Sequence, residues 1–198
     1  MLDYLSEALD LGANQSLRQY HTGTLFVTSL LHYPSIAANQ LRSGAAARSP
    51  AHSDFGTLTL LFQRDVGGLE IADMGTTQET KTDRIEKTAT FINVDPEPGA
   101  IIVLGGHMLN RWTNRRYRDA VHRVTEPSSA AEHTSDANDV NGTIPERYSI
   151  AFFSFPDAAT TVEPLSGCYS DANPRKYRPI IAGEYLEGKR ASLYNPTI

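Results

Sequence analysis

The stretch RYSIAFFSF, residues 147–155, is the most regular alternating run in the 198-residue chain. Successive side chains of a β-strand point to opposite faces, so this alternation predicts a half-buried strand. Six more short segments are apolar or rich in β-formers and are bounded by turn residues. They are residues 24–33, 57–63, 69–71, 91–94, 100–104 and 120–124. We therefore expect a mainly β sandwich or barrel with few helices, rather than a parallel sheet with crossover helices.

The remaining segments predict a helix, a hairpin and two loops. Leucines separated by acids in residues 2–12 predict an amphipathic helix that ends near Gly12. The turn residues DPEPG, 95–99, indicate a hairpin-like arrangement of the segments on either side. The polar stretches 74–88 and 126–146 show no periodicity and are predicted to be mobile surface loops.

Composition excludes several classes of partner. The formal net charge is −5, and the one locally basic stretch, RWTNRRYR at 111–118, is too short for a nucleic-acid surface. No apolar run approaches the roughly 20 residues that cross a bilayer, so no membrane partner is expected. The single cysteine, Cys168, has no activating base nearby in sequence and is predicted to be inert. One cysteine is compatible with a reducing compartment, and we expect a cytoplasmic location.

The motif HSDFG, residues 52–56, places an imidazole and a carboxylate two residues apart beside a predicted strand. In extended backbone, His52 and Asp54 point to the same side. His122, in the β-like stretch AVHRV, can supply a third ligand if its strand folds back beside them. Two histidines and one carboxylate leave about three octahedral positions open, which is typical of non-haem Fe(II) oxygenases. A polar loop without metal is the alternative for the isolated pair.

Arg147 and Ser149 share one face of the strand that begins at residue 147. An arginine that points into a β-core is costly unless an anion meets it. A guanidinium beside a hydroxyl suits a carboxylate. The alternative is an arginine at the strand edge that faces water.

Five stretches, in order, resemble the catalytic domain of the iron(II)/2-oxoglutarate-dependent dioxygenases, in the isopenicillin N synthase-like branch. These are LHYPS (31–35), HSDFGTLTLLFQRDVGGLEI (52–71), PGAIIVLGGHMLNRWTNRRYRDAVHRV (98–124), RYSIAFFSFP (147–156) and KYRPIIAGEYLEGKR (176–190). The resemblance implies a double-stranded β-helix, or jelly roll, with a few flanking helices. It implies one domain over 1–198, with a leading helix at 1–22, a jelly-roll core at 23–156 and a C-terminal extension at 157–198.

The resemblance also implies a set of site residues. His52, Asp54 and His122 would bind Fe(II). Arg147, Ser149 and Tyr33 would hold 2-oxoglutarate, the first two through its distal carboxylate. The candidate substrate contacts are Phe55, His107 and Phe155, although a hydrogen-bonded structural role is the alternative for His107. His21, His32 and His133 are expected to be structural or surface residues, and Trp112 to be packing.

The implied reaction uses O2 and converts 2-oxoglutarate to succinate and CO2. A small organic molecule is thereby hydroxylated, desaturated or cyclised, as in specialised metabolism, with ascorbate as a reductant. One alternative is an iron oxidase of the same branch that does not use 2-oxoglutarate. Another is a truncated non-catalytic paralogue, because family members usually carry roughly a hundred further residues, near the size of a small domain, before this point. An uncovered side of the jelly roll would favour a homodimer.

Overall fold

A computed structural model describes residues 1–11, 16–127 and 142–194. Within them the helices are α1 (Leu2–Ala8), α2 (Ala38–Arg42), α3 (Thr82–Thr88), α4 (His107–Trp112) and α5 (Ala182–Tyr194), with a 3-10 helix at Leu17–Tyr20. The strands are β1 (Phe26–Tyr33), β2 (Ile36–Ala37), β3 (Ser49–His52), β4 (Leu58–Gln63), β5 (Leu69–Ala72), β6 (Phe91–Asn93), β7 (Ile102–Gly105), β8 (His122–Val124), β9 (Thr143–Ile144), β10 (Arg147–Ser154), β11 (Thr161–Val162) and β12 (Ile180–Ile181).

Two four-stranded antiparallel sheets form the body of the fold. One has the order β1-β10-β4-β7 and the other the order β3-β8-β5-β6. The chain passes repeatedly between the sheets, as in a jelly roll. A shared core joins them, with Leu61, Leu104 and Ala151 from the first sheet against Leu69 and Val124 from the second. The prediction of a mainly β double-stranded β-helix with a few flanking helices is confirmed.

Strand β10 shows how alternation positions the site. Arg147, Ser149 and Ala151 are buried, whereas Tyr148 and Ile150 are exposed. The buried set therefore points between the two sheets, and it carries the arginine and serine inward with the apolar residues. The strand-edge alternative for Arg147 is wrong, because this side chain is only 1% exposed.

The hairpin expected around residues 95–99 does not form. Strand β6 pairs with β5 in one sheet, while β7 pairs with β4 in the other. The turn therefore carries the chain from one sheet to the next. Local sequence identifies two strands and a turn correctly, but it does not say which distant strand each one pairs with.

The two stretches predicted to be loops contain regular structure. Helix α3 forms the second half of 74–88, and its Ile85 is buried against Ala72 and Val121. A seven-residue helix with one buried position shows no periodicity, which is why the loop prediction is wrong there. In the stretch 126–146, residues 128–141 lie outside the described residues, and β9 pairs with β2 near its end.

Segments from both chain ends help to build a second core. Helix α1 ends at Ala8, earlier than predicted, and Gly12 lies outside the described residues. Trp112 is fully buried in this core, so its predicted packing role is confirmed. The apolar members come from both ends of the chain as well as the middle: Leu9, Leu17, Leu58, Met108, Leu109, Trp112, Val162, Leu165, Cys168 and Ala182. The domain boundaries near residues 22 and 156 stay a prediction.

His21 ties the N-terminal segment to the start of β4. Its Nδ1 lies 2.8 Å from the carbonyl oxygen of Leu17, and its Nε2 lies 2.9 Å from Thr57 Oγ1. The neutral tautomer with its proton on Nδ1 donates to the carbonyl and accepts from the hydroxyl. Burial lowers the pKa of His21 below its ordinary value.

We expect the protein to lose stability as the pH falls through about 6.5, the usual pKa of an unfolded histidine. Below that value the unfolded chain takes up a proton that folded His21 resists. The free energy of unfolding therefore falls until the folded pKa is reached.

Urea unfolding at about pH 7.5 and about pH 5.5 measures this loss. His21→Gln should reduce the pH dependence, although buried His122, whose pKa is also lowered, contributes in the same direction. Exposed His32→Gln should retain it, and an unchanged slope in His21→Gln would contradict the assignment.

Candidate metal centre

Pairing of β3 with β8 brings the predicted metal ligands together. His52 and His122 are register partners, and their ring centroids lie 4.3 Å apart. Asp54 follows β3 in a loop, with Oδ1 3.9 Å from His52 Nε2. One ligand atom from each of the three residues lies within 4.8 Å of the others, so they can share one ion. The loop, rather than strand alternation, therefore brings Asp54 to the histidines.

Hydrogen bonds orient all three ligands. Nδ1 of His52 donates to the carbonyl oxygen of Pro50, and Nδ1 of His122 donates to that of Ala120, each at 2.9 Å. This arrangement leaves both Nε2 atoms available to a metal. Thr59 donates its hydroxyl to Oδ2 of Asp54 and leaves Oδ1 toward His52.

The chemistry of the donor set fits a divalent transition-metal ion with open positions. Burial lowers the pKa of His122, which favours the neutral imidazole that metals bind. Two nitrogen donors and one carboxylate form the donor set of a non-haem Fe(II) site.

The loop that carries Asp54 is held by the start of α4. The amide of His107 donates to the carbonyl oxygen of Asp54 at 2.8 Å, and the amide of Met108 donates to that of Gly56 at 2.9 Å. Gly106 approaches so closely that an added Cβ would lie 2.3 Å from the carbonyl oxygen of Gly56. Only glycine fits there without displacing this loop.

We expect Gly106→Ala to shift Asp54 and weaken divalent metal binding. The overpacking should also lower the free energy of unfolding by about 1–3 kcal/mol. Metal titration and urea unfolding measure the two effects. Gly105→Ala is the matched control, because its Cβ would make ordinary contacts of 3.5 Å and 3.6 Å. Equal behaviour of the two variants would contradict the close packing argued for Gly106.

A narrow cavity of about 180 Å³ connects the ligand cluster with Arg147 and Ser149. Nη1 of Arg147 donates to Ser149 Oγ at 3.0 Å, and its Nη2 donates to Gln63 Oε1 at 3.1 Å. Its buried Nε has no hydrogen-bond partner among the described residues. The ring of Tyr33 lies 5.1 Å from the guanidinium carbon. A buried cation beside a cavity, without a carboxylate partner in the described part of the chain, is suited to an anion.

A wider cavity of about 1130 Å³ is also lined by His52 and Asp54. All three predicted substrate contacts, Phe55, His107 and Phe155, line it. Their contact with a substrate stays a prediction.

Two further residues of the wider cavity were missed by sequence reasoning. His107 Nδ1 lies 3.7 Å from Asp119 Oδ2, and its ring stacks on Tyr185 at 5.3 Å. Burial raises the pKa of Asp119, but the neighbouring His107 and Ser53 side chains outweigh it and hold the pKa below its usual range. Burial raises the pKa of Tyr185 to about 12. The only sequence signal for Asp119 was its position three residues before His122.

The other histidines and the cysteine lie outside these cavities where they are described. His32 is exposed and pairs with Glu146 at 3.0 Å, and His133 lies outside the described residues. Cys168 is buried, and burial raises the pKa of its thiol, in agreement with an inert role. In the part of the chain that is described, no helix has the length and apolar character to cross a bilayer.

Solved structures resemble this chain over nearly its whole length. A full-length protein of Neurospora crassa, in complex with alpha-KG, is 28% identical, with a TM-score of 0.77 over 96% of this chain and 51% of that one. A rice dioxygenase for auxin oxidation, 22% identical with a TM-score of 0.69, covers 98% of this chain and 53% of its own and shares the fold.

Curated fungal proteins match in sequence. The 2-oxoglutarate-dependent dioxygenase htyE of Aspergillus rugulosus is 41% identical over 70% of this chain and 37% of its own length. The dioxygenase frbA of a Dothideomycetidae species is 37% identical over 84% of this chain and 44% of its own length. The proline hydroxylase buaE of Petromyces alliaceus is 36% identical over 83% of this chain and 46% of its own length. The chain thus spans about half the length, or less, of these relatives.

The sequence profile of the 2OG-Fe(II) oxygenase superfamily matches residues 14–156. This range contains the three clustered ligands and both residues of the Arg147–Ser149 pair. The match covers more than half of the chain, and the relatives and the fold agree with it. The chain belongs to the 2OG-Fe(II) oxygenase superfamily.

Proposed function

We propose that this chain is the catalytic domain of an oxygenase that uses Fe(II), 2-oxoglutarate and O2 to oxidise a small organic molecule. His52, Asp54 and His122 hold the iron. Arg147 and Ser149 bind the distal carboxylate of 2-oxoglutarate beside Tyr33. One observation carries the proposal: a single narrow cavity joins the three-ligand cluster to a buried guanidinium that has an unpaired N–H among the described residues.

When bound, the iron and 2-oxoglutarate supply the oxidising chemistry, in which 2-oxoglutarate yields succinate and CO2 and oxygen is transferred or hydrogen removed. The residues of the chain would hold the iron and 2-oxoglutarate in position and shield them from water. His52, Asp54 and His122 would hold the iron, and a set of three donors would leave coordination positions for further ligands. Leu61, Leu104 and other apolar residues line the narrow cavity beside these polar groups.

The substrate is proposed to enter the wider cavity. Phe55 and Phe155 would supply apolar contact, and His107 would supply a polar one that Asp119 orients. Similar proteins support a small molecule: one structure of the Neurospora crassa protein contains thymine, another contains 5-formyluracil, and one relative is named a proline hydroxylase. Hydroxylation, desaturation and cyclisation would use the same metal ligands. A role in specialised metabolism, a cytoplasmic location and a homodimer stay predictions.

An anaerobic titration with Fe(II), followed by 2-oxoglutarate, tests the proposal. We expect a saturable visible charge-transfer band with one equivalent of each ligand. Iron binding without the band would instead favour an oxidase that does not use 2-oxoglutarate. Failure to bind either ligand would indicate a non-catalytic chain.

A further inference from the structure

The wider cavity carries an excess of positive charge that the chain as a whole does not. The chain has 18 basic and 23 acidic residues, and its formal net charge is −5. In the lining of the wider cavity the basic residues outnumber the acidic ones. They are Lys81, Arg115, Arg118, Lys176, Lys189 and Arg190, against Asp54, Asp83 and Asp119. A cavity lined mainly by charges of one sign attracts ligands of the opposite sign.

The acidic residues of the cavity do not neutralise its arginines. Asp54 belongs to the metal-ligand cluster, and Asp83 is exposed. Asp119 accepts a hydrogen bond from Asn110 Nδ2 at 2.8 Å and lies beside His107. In the described part of the chain, no ion pair joins these three carboxylates to an arginine of the cavity. The positive charge is therefore available to a ligand.

Arg115 is held in the cavity wall by an unusual backbone conformation. Its φ is +71° and that of Asn114 is +50°, in the left-handed region that asparagine tolerates better than arginine does. The buried side chain of Asn114 fixes this turn. Its Nδ2 donates to the carbonyl oxygen of Pro174 at 3.1 Å, and its Oδ1 accepts from the amide of Lys176 at 2.8 Å. Asn114 thereby holds the backbone of two cationic residues of the cavity, Arg115 and Lys176, close together.

Arg115 has donors to offer, whereas the neighbouring Arg118 has already used its own. The guanidinium of Arg118 donates to the carbonyl oxygens of Met74, Thr77 and Glu79 at 2.7–3.1 Å. Arg115 is half-buried, and its side chain has no hydrogen-bond or ion-pair partner among the described residues. Burial lowers the pKa of Arg118, and the positive charge of Arg115 lowers it further. Two neighbouring like charges are unfavourable until an anion lies beside them.

The rest of the cavity lining indicates the kind of molecule that would carry this anion. Aromatic side chains line the cavity beside the cationic ones: Phe55, Phe155, Tyr177 and Tyr185. The ammonium of Lys189 lies 5.5 Å from the ring centres of both Phe55 and Tyr185. Two of the metal ligands line the same cavity. A guanidinium with free donors suits a carboxylate, and the aromatic rings suit an apolar body attached to it.

We propose that the substrate of this chain is an apolar small molecule that carries a carboxylate, and that Arg115 binds this carboxylate in the wider cavity. The inference rests on the function proposed above and adds a substrate class and a specificity-determining residue to it. Arg118 and Lys176 contribute positive charge, and Phe55 and Phe155 contact the apolar body.

The test compares two aromatic probes of nearly the same shape that differ in charge. The protein is titrated by calorimetry at neutral pH with 2-naphthoate and with neutral 2-naphthamide. We expect the wild type to bind the carboxylate roughly 10-fold more tightly than the amide, as for a charged hydrogen-bonding partner. Arg115→Gln should remove this preference by weakening the binding of 2-naphthoate. Its affinity for 2-naphthamide should stay within about twofold of the wild type, because that probe lacks the charge concerned.

Arg116→Gln is the matched control, since it removes the same charge from the next position. Arg116 is exposed and does not line the cavity. This variant should keep the preference for 2-naphthoate. Absence of a preference in the wild type, its persistence in Arg115→Gln, or an equal loss in Arg116→Gln would overturn the inference. If Arg115→Gln does not fold, Arg115→Lys decides: a smaller preference supports the inference, and an unchanged preference overturns it.

The probe titration requires neither Fe(II) nor 2-oxoglutarate, so it separates this inference from the proposed function. Failure of the carboxylate preference in a chain that binds Fe(II) and 2-oxoglutarate would overturn the inference and leave the proposed function standing. Failure to bind Fe(II) and 2-oxoglutarate would overturn the proposed function, and with it the role of the bound carboxylate as a substrate.

Discussion

Replacing Asp54 with alanine is expected to abolish stoichiometric Fe(II) binding by this chain. Asp54 supplies the only carboxylate in the cluster found among the described residues, and its Oδ1 lies 3.9 Å from His52 Nε2. Without it, two imidazoles remain, and the anionic donor that balances the metal charge is lost. Affinity should fall by more than about 100-fold, since loss of even an outer partner of a metal ligand costs roughly 10- to 100-fold. Anaerobic equilibrium dialysis followed by metal analysis measures this effect.

His122→Ala should give the same loss, because His122 on β8 would supply the second nitrogen ligand to the metal. Its ring centroid lies 4.3 Å from that of His52. Asp83→Asn is the control, since Asp83 lines the wider cavity outside the ligand cluster and should leave Fe(II) affinity unchanged. Wild-type iron affinity in both Asp54→Ala and His122→Ala would refute the metal assignment.

Arg147→Met is expected to weaken 2-oxoglutarate binding by more than about 100-fold while Fe(II) affinity stays unchanged. Methionine keeps an unbranched apolar side chain in a position that is 1% exposed, but it removes the charge and the fork of N–H donors. Loss of one partner of a buried ion pair costs about 3–5 kcal/mol, which corresponds to at least this factor. The charge-transfer titration yields both affinities from one sample.

Arg64→Met is the matched control for this variant. Arg64 directly follows β4, is exposed, and pairs only loosely with Asp65 at 3.6 Å. It should bind both ligands as the wild type does. Simultaneous loss of iron from Arg147→Met would show that Arg147 supports the metal cluster rather than the cosubstrate.

The position and the buried face of β10 were predictable because they are local properties. Alternation in residues 147–155 identified β10 to within one residue and placed Arg147 and Ser149 on the buried face. The motif HSDFG and the histidine in AVHRV identified three residues that do lie together. In each case the residue types and their spacing along the chain carry the information, because the side-chain period of a strand is two residues.

Pairing and short helices were not predictable in the same way. The segments around residues 95–99 were expected to form a hairpin, yet β6 and β7 lie in different sheets. The segment that forms helix α3 was expected to be a loop, because its sequence shows no apolar periodicity. Only Ile85 of its seven residues is buried, so there is little periodicity to detect. Such outcomes depend on which distant surface is available to cover an apolar side chain, and a local window does not contain that surface.

By itself, the sequence determined the class of fold, the buried face of β10 and the residue types of the candidate site. Only the tertiary structure decided that β3 pairs with β8, so that two histidines 70 positions apart become neighbours. It also placed Asp119 beside His107, with Oδ2 3.7 Å from Nδ1, although twelve positions separate the two residues along the chain. The physical reason is that hydrogen bonds and charges act over a few ångströms in space, whereas a sequence pattern records only separation along the chain.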